Sequence, residues 1–438
     1  MSVELLTILL VILMMIFMAA GLPVGFVLGG VAMLVGVLTW GPQAFKSIPI
    51  SALNSVSGFV ILAVPLFLFL GQILLRSGLG EAMFHAVHIL SGRLRGGLAI
   101  GVIIVTSMMA AMVGIIGAGI LTAGTIALPH MLKRNYNKHL ALGCVMAGGG
   151  MGILIPPSIP MVLFASVTQT SIGKMFAGGM IPGLIMSSLF IVYIGIRAYL
   201  QPNWAPAIPK EELTKGWRDK LIAVRDSILA FGLIILILGS IMAGIATPTE
   251  AAAVGGVGAI LIAIFYRRFS MGVLKEASLY TMKLTGMCVW IMVGATIFSN
   301  FHMLMGAGRL LSKAFLEAGV SPMGVIALMQ VTMLIMGCFI DEFIIVLICA
   351  PLYTPIAVSL GFDPIWFGIL MIINMEFAIQ TPPYGFALFY LKACAPPEIT
   401  MMDIYKSIAP FLGCKFIVMV LVMAFPKIVT FLPNLVFG

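Results

Sequence analysis

Charged residues are scarce in this sequence. They make up 9% of its 438 residues, whereas a soluble globular chain has about 25%, and the mean hydropathy is +1.18. Such a composition excludes a soluble domain and indicates an integral membrane protein. The short polar–apolar alternation of outer-membrane strands is missing too, because runs such as residues 4–20 are apolar on all sides. We therefore predict an all-α polytopic membrane protein, long enough for about ten to twelve spans.

Several functional signatures are also missing. The six cysteines lie in or beside apolar runs without CxxC spacing, so we expect them to pack and not to bind metal or form disulfides. The N-terminus lacks the basic start and cleavage site of a secretory signal. HExxH and GxSxG motifs are absent, which argues against a membrane-embedded enzyme. The net charge of +9 fits basic cytoplasmic loops, and we expect no nucleic-acid binding.

Two apolar segments are interrupted by proline pairs. Residues 152–164 (GILIPPSIPMVLF) and residues 379–389 (IQTPPYGFALF) each contain adjacent prolines. Proline breaks a helix interior because it has no N–H to donate, and irregular backbone inside a membrane is tolerated only where it is buried or lines a cavity. We predict that the two segments are tips of re-entrant helical hairpins, at about 143–168 and 364–392, that meet near the middle of the membrane.

The two proline pairs, Pro156-Pro157 and Pro382-Pro383, are related by a shift of about half the chain. The same shift takes Pro129 to Pro355, and a slightly longer one takes Pro182 to Pro410. This common order predicts two repeats, at 1–200 and 226–438, joined by a polar linker at 201–225 whose basic excess indicates the cytoplasmic side. Interrupted segments at matching positions of two halves indicate the binding site of a transporter.

Several segments closely resemble the large membrane subunit (DctM-like family) of the tripartite ATP-independent periplasmic (TRAP) transporters. GILIPPSIPMVLFASVTQTSIGKMFAGGMIPGL (152–184) resembles the family's first hairpin region, and IQTPPYGFALFYLKACAPPEIT (379–400) resembles its second hairpin. IATPTEAAAVG (245–255) resembles the start of the family's second half. Segments 58–74 and 127–138 match as well, so the resemblance covers essentially the whole chain in order.

This resemblance implies an elevator-type transporter with a scaffold domain and a transport domain, built from two inverted repeats in the bacterial inner membrane. It implies Na⁺-coupled uptake of a small organic anion, such as a carboxylate or a sulfonate. The implied partners are a small membrane subunit of about four helices and a periplasmic substrate-binding protein that delivers the anion. The alternative is a self-sufficient sodium/carboxylate symporter that needs no binding protein. We expect no enzymatic activity.

The hairpin tips contain groups suited to both an anion and a cation. Half-helix N-termini offer N–H groups to an anion, while unwound carbonyls and hydroxyls suit Na⁺. Capping of their own turns is the alternative role for the hydroxyl residues of the tips. The predicted substrate-binding residues lie in the two tips: Pro157, Ser158, Thr381, Pro383 and Tyr384.

The resemblance further implies two sodium sites, each completed by a broken helix that faces one tip. The two segments are GIIGAGILTAG (114–124) and GCFIDEFIIVLICAP (337–351). Many relatives have serines in the first segment, whereas glycines take several of those places here and leave Thr122 and Thr125 as the nearby hydroxyls. The implied sodium ligands are Gly117, Gly119, Thr122, Ile155, Asp341 and Thr381.

Asp341 and Glu342 are carboxylates inside an apolar segment. Insertion of such a group into a membrane costs about 2.5–3.5 kcal/mol, so its presence there indicates a functional role. We predict that Asp341 helps the second cation site or orients the cavity; its alternative role is to begin a helix at the membrane interface. No arginine lies in either tip, and Lys174 and Lys392 are expected to anchor at the interface.

Overall fold

The computed structural model describes residues 3–91, 94–207, 217–306 and 319–438. Within these ranges the chain forms helices joined by turns and short irregular segments, as the prediction of an all-α protein requires. Part of the predicted linker, residues 208–216, lies outside the described residues. The last part of the predicted linker, residues 217–225, is helical, because a helix begins at Trp217.

In the described part of the chain, the helices before the linker are α1 (Val3–Ala19), α2 (Val24–Trp40), α3 (Ser47–Val56), α4 (Ala63–Arg76), α5 (Leu79–Ser91), α6 (Gly97–Val113), α7 (Ile116–Lys133), α8 (Lys138–Gly150), α9 (Ile159–Thr168) and α10 (Ile172–Leu200). Those after it are α11 (Trp217–Met242), α12 (Pro248–Phe265), α13 (Met271–Leu304), α14 (Pro322–Gly337), α15 (Glu342–Ser359), α16 (Pro364–Ala378), α17 (Phe386–Cys394), α18 (Met401–Ala424) and α19 (Lys427–Phe437).

Six helices of the described residues are long and apolar enough to cross a membrane, or seven if the bent pair 48–56 and 60–76 is one span. This number is smaller than the predicted ten to twelve. The reason is that apolar runs which look continuous in the sequence are divided in the structure into shorter helices of 10–17 residues. The run 97–128 is divided between α6 and α7, and the run 322–358 between α14 and α15.

Local sequence accounts for both breaks. Gly114 ends α6 with φ of 67°, a left-handed conformation that glycine adopts without a Cβ penalty, and Ile115 is extended. In the second half α14 ends at Gly337, and Asp341 is extended immediately before α15. The Phe343 N–H donates to Asp341 Oδ1 at 3.0 Å, so this aspartate caps α15.

Both predicted tips are turns between two helices. The first joins α8 to α9, and Ser158 is the N-cap of α9. The second joins α16 to α17. The Pro156–Pro157 and Pro382–Pro383 peptide bonds are both cis.

Helix starts recur at the shift that relates the proline pairs. The shift that takes Pro156 to Pro382 also takes Ile116, where α7 begins, to Glu342, where α15 begins. It likewise takes the start of α8 at Lys138 to the start of α16 at Pro364. Each half therefore places a broken helix directly before its hairpin.

The helices fall into two groups by chain position and contacts. In the flanking group (α1–α5 and α11–α13), α2 packs on α13 and α4 packs on α12. In the hairpin group (α6–α10 and α14–α19), α8 packs on α7 and α18, and α15 packs on α9. The hairpin group thus joins elements of both halves: α7 of the first half also packs on α17 of the second.

Candidate ion and anion site

A cavity of about 840 Å³ lies between the flanking group and the hairpin group. Its polar lining from the flanking group consists of Gln72, Arg76 and Tyr280. From the hairpin group it is lined by the starts of α7 and α15 and by Phe386 and Tyr390 of α17. The helix breaks therefore open onto the same space from the two halves of the chain.

The two helix starts in this cavity differ in charge. Among the described residues, no side chain caps the N-terminus of α7 by a hydrogen bond, and Ile115 precedes the helix. The N-terminus of α15 is capped by the Asp341 carboxylate. A helix N-terminus has the positive end of the macrodipole and unpaired N–H groups. The start of α7 is consequently suited to an anion, while the start of α15 is neutralised by its own chain.

Asp341 and Glu342 bring two adjacent carboxyl groups to the cavity wall. Glu342 is buried, with 5% of its surface exposed. Oxygen ligands and concentrated negative charge are what a hard cation requires. Thr122, in the second turn of α7, lines the same cavity and adds a hydroxyl. This part of the wall is suited to a cation.

Arg76 enters the cavity from the flanking group, at the end of α4. Its Nη1 donates to Gln72 Oε1 at 2.6 Å and to the Gln72 carbonyl at 3.1 Å. Its Nε lies 3.5 Å from Glu276 Oε2, and 71% of that glutamate side chain is exposed. The planar guanidinium has a fork of N–H donors that matches the two oxygens of a carboxylate. Arg76 is therefore suited to bind a carboxylate in this cavity. The sequence did not identify Arg76 as a site residue, because Arg76 is far along the chain from both tips.

Three of the predicted sodium residues line the cavity: Gly117, Thr122 and Asp341. A Cβ atom on Gly117 would lie 3.1 Å from the Tyr390 ring, so glycine here lets α17 pack directly on α7. Gly119 faces away from the cavity toward the first hairpin, where a Cβ atom would lie 2.8 Å from the Gly149 carbonyl oxygen. The first turn of α7 thus packs against both hairpins.

The first tip, with Ile155, Pro157 and Ser158, lies behind the cavity wall. Ser158 is 1% exposed; its hydroxyl donates to the Ile153 carbonyl at 2.5 Å and accepts from the Met161 N–H at 3.4 Å. This is the capping role given above as the alternative. Pro157 is buried against the first helix break, since a Cβ atom on Gly114 would lie 2.7 Å from its carbonyl oxygen.

Ile155 packs toward α10, where a Cβ atom on Gly183 would lie 3.0 Å from Ile155 Cγ1. The contact between Gly114 and Pro157 brings the broken helix α6–α7 against the first tip, which is the arrangement that the resemblance implies.

The second tip is much more open than the first. The Tyr384 side chain is 57% exposed, and its ring centroid lies 5.6 Å from that of Phe339 in the second helix break. The Thr381 hydroxyl donates to the Phe377 carbonyl of its own helix at 2.8 Å. The Tyr405 hydroxyl of α18 donates to the Pro383 carbonyl at 2.7 Å. The predicted site residues thus occupy three places: the cavity, the buried first tip and the exposed second tip.

The sequence was compared with protein families and curated proteins. Residues 11–428 match the family model described as tripartite ATP-independent periplasmic transporter, DctM component. The chain is 33% identical to the C4-dicarboxylate TRAP transporter large permease protein DctM of Vibrio cholerae, over 100% of this chain and 99% of that protein. It is 29% identical to the sialic acid TRAP transporter large permease protein SiaM of Vibrio cholerae, over 96% of each.

A comparison with solved structures shows the same fold in a distant transporter. The YdaH transporter of Alcanivorax borkumensis superposes with a TM-score of 0.64 over 92% of this chain and 96% of that chain. The two sequences are 16% identical. This likeness establishes the fold alone.

Proposed function

Because the chain belongs to the DctM component family of the tripartite ATP-independent periplasmic transporters, we propose that it couples Na⁺ to the uptake of a small organic anion. It is a multi-pass protein of the bacterial inner membrane, and its relatives are transporter permeases, not enzymes. The relatives reported above are named for C4-dicarboxylates and for sialic acid. Because a carboxylate is common to both, we propose a carboxylate-bearing substrate.

The observation that supports this proposal is that one cavity combines groups suited to an anion with groups suited to a cation. Arg76 and the start of α7 provide a guanidinium and N–H groups, whereas Asp341 and Glu342 provide carboxyl oxygens. A site for an anion alone would not place two carboxylates beside it. In the proposed cycle the substrate carboxylate binds to Arg76 and the N–H groups of α7, and Na⁺ binds to the oxygens near Asp341 and Thr122.

The tip residues complete the proposed sites. Carbonyl groups of Gly117 and Gly119, and of Ile155 in the first tip, supply oxygens for one Na⁺. Thr381 supplies oxygens for the other, together with Asp341. The remaining proposed substrate contacts are Pro157, Ser158, Pro383 and Tyr384. Cations near the anion offset its charge, which lowers the cost of bringing the substrate into the membrane interior.

We further propose an elevator mechanism in which the hairpin group is the transport domain and the flanking group is the scaffold. The two halves, 1–200 and 226–438, are proposed to be inverted repeats joined by the linker at 201–225. The position of the cavity supports this division, because it is lined by both groups of helices. Movement of one group past the other would carry the cavity-facing helix starts across the membrane.

The proposed partners are the small membrane subunit of about four helices and a periplasmic substrate-binding protein. Large apolar side chains are exposed along the flanking group, among them Ile235 of α11 and Leu261 of α12. Lipid tails and a helical membrane partner would cover such a surface. The alternative, a self-sufficient symporter, differs in a single requirement, since it would work without the binding protein.

The test is uptake into proteoliposomes that contain this chain and its proposed small membrane subunit. Radiolabelled C4-dicarboxylates and sialic acid are supplied with and without an inward Na⁺ gradient, and with and without the binding protein. We expect uptake of a carboxylate only when the Na⁺ gradient and the binding protein are both present. Uptake without the binding protein would support the self-sufficient symporter. An uptake rate that is the same with and without the Na⁺ gradient would refute sodium coupling.

A further inference from the structure

A second ionic site lies inside the hairpin group, away from the cavity. Lys415 of α18 and Glu376 of α16 both have 0% of their side chains exposed, and Lys415 Nζ lies 3.2 Å from Glu376 Oε1. The hydrogen bonds of the ammonium group go elsewhere: to Gln380 Oε1 at 2.7 Å and to the Glu376 carbonyl at 3.2 Å. Among the described residues, no donor makes a hydrogen bond of good geometry to either carboxylate oxygen of Glu376.

The oxygens around Lys415 belong to the segment that leads into the second tip. Glu376 lies in the last turn of α16, and Gln380 directly precedes Thr381. Gln380 is itself completely buried, and its Nε2 donates to the Met146 carbonyl of α8 at 3.2 Å. A chain of contacts thus links α18, the base of the second tip and the first hairpin.

The first hairpin is shaped to accept Gln380. A Cβ atom on Gly150 would collide with Gln380 Nε2, so only glycine leaves the amide its place beside α8. A buried ion pair is weak evidence for stability, because well-packed apolar residues often replace one without loss. The position of this pair at the junction of the two hairpins points to a different role.

We propose that Lys415 is a positioning residue for the second tip. Its ammonium group is a tethered cation that fixes Gln380 between the two hairpins, and it thereby holds the backbone at Thr381 in the geometry for cation binding. The same contacts make the two hairpins move as one body. The proposal rests on the proposed sodium coupling only through Thr381; the fixing of the tip stands apart from it.

Two variants remove the bridge without leaving an unpaired buried charge. Gln380→Met keeps the Glu376–Lys415 pair and removes both hydrogen bonds of the amide. The double variant Glu376→Gln/Lys415→Met removes both charges together. Lys415→Met alone leaves Glu376 buried and unpaired, and its expression level reports that separate cost. Lys406→Met, on the exposed face of the same helix, is the matched control.

The first readout is hydrogen–deuterium exchange of the purified transporter at residues 379–385, compared with residues 152–158. Loss of a hydrogen bond to a charged group corresponds to about a tenfold or larger change. We expect exchange at the second tip to rise by about that factor in Gln380→Met and in the double variant, with the first tip unchanged. Equal exchange in these variants and the wild type would overturn the proposal.

The second readout is the Na⁺ dependence of uptake in proteoliposomes with the small subunit and the binding protein. We expect the Na⁺ concentration for half-maximal uptake to rise about tenfold in both variants, while the maximal rate changes much less. A loss of maximal rate with unchanged Na⁺ dependence would mean a merely structural role and would refute the positioning of Thr381. If uptake by the wild type does not depend on Na⁺, the proposed function is refuted. The hydrogen–deuterium exchange measurement would still test whether Lys415 fixes the second tip.

Discussion

At the scale of single residues, Asp341 has two roles that one substitution can separate. It caps α15 through the Phe343 N–H, and it brings a charge to the cavity. Asparagine caps a helix about as well as aspartate, so Asp341→Asn removes only the charge. We expect unchanged thermal stability and a Na⁺ concentration for half-maximal uptake that rises roughly tenfold or more, since interactions with a charged group are worth about 1.5–3 kcal/mol.

The matched control is Asp363→Asn. Asp363 caps α16 by accepting from the Ile365 and Trp366 N–H groups at 2.7 and 2.9 Å, and it lies outside the cavity lining. This variant should keep the Na⁺ dependence of the wild type. If both variants behave alike, Asp341 is a helix cap and the proposed cation site loses its carboxylate ligand.

Arg76 gives a second prediction at this scale. Arg76→Gln removes the guanidinium from the anion side of the cavity, and we expect the KM for a carboxylate substrate to rise about 10- to 100-fold, the value of a charge-assisted hydrogen bond. Glu276→Gln removes its exposed partner, and an exposed pair contributes about 0–1 kcal/mol, so KM should change little. Uptake assays at varied substrate concentration measure both. An unchanged KM in Arg76→Gln would exclude Arg76 from the anion site.

Asp341 could be found from the sequence because a carboxylate in an apolar run is recognisable without any knowledge of the fold. Arg76 and Lys415 could not be assigned in this way. Glu276, the acidic partner of Arg76, belongs to the other half of the chain, and the oxygens around Lys415 come from a different helix and the turn that follows it. Only the folded chain brings these groups together, so their roles depend on contacts that no local pattern encodes.

At the scale of helices and turns, the sequence predicts more, because proline and glycine act on their own backbone. The proline pairs identify both tips, and the matching helix starts follow the same shift along the chain. The environment of each tip is a different matter. Ser158 is buried, whereas Tyr384 is largely exposed, and this difference arises from neighbouring helices that local sequence does not specify.

The close contact between α7 and α8 gives a prediction for a pair of helices. Gly119→Ala would place a methyl group 2.8 Å from the Gly149 carbonyl oxygen, and backbone on both sides leaves little room to adjust. We expect a loss of about 1–3 kcal/mol of unfolding free energy, as for other overpacked sites. Thermal unfolding in detergent measures it as a lower Tm.

Gly195→Ala is the control for that experiment. Gly195 lies in α10, and no atom of the described part of the chain lies within 4 Å of its Cβ position. Alanine is the better helix former, so the Tm should stay the same or rise slightly. If the Tm of Gly119→Ala equals that of the control, α7 and α8 can accommodate the extra methyl group and the prediction is wrong.

At the scale of the whole molecule, the proposed division into two bodies can be tested by cross-linking. A Cβ atom on Gly71 of α4 would lie 3.0 Å from Val113 Cα and 3.3 Å from Val113 Cγ1 of α6, so Gly71→Cys/Val113→Cys joins the flanking group to the hairpin group. A Cβ atom on Gly124 would lie 3.5 Å from Cys394 Cβ, within disulfide range. Gly124→Cys therefore joins α7 to α17 inside the hairpin group.

We expect oxidation to stop uptake by the first variant and reductant to restore it, because the cross-link spans two bodies that must move past each other. Uptake by the second variant should persist after oxidation. Each oxidised protein is compared with the same protein after reduction, so effects of the substitutions themselves cancel. Arrest of both variants, or of neither, would contradict the proposed division.

The buried pair of Glu376 and Lys415 also determines how a moving hairpin group would respond to membrane voltage. Transfer of one elementary charge through 100 mV costs or releases about 2.3 kcal/mol. A dissociable ion would neutralise Glu376 only while it stayed bound, and the empty protein would return with an extra negative charge. Lys415 is covalently attached and lies 3.2 Å from Glu376 Oε1, so the pair has no net charge on either the loaded or the empty stroke. At this site the electric field exerts no net force in either direction.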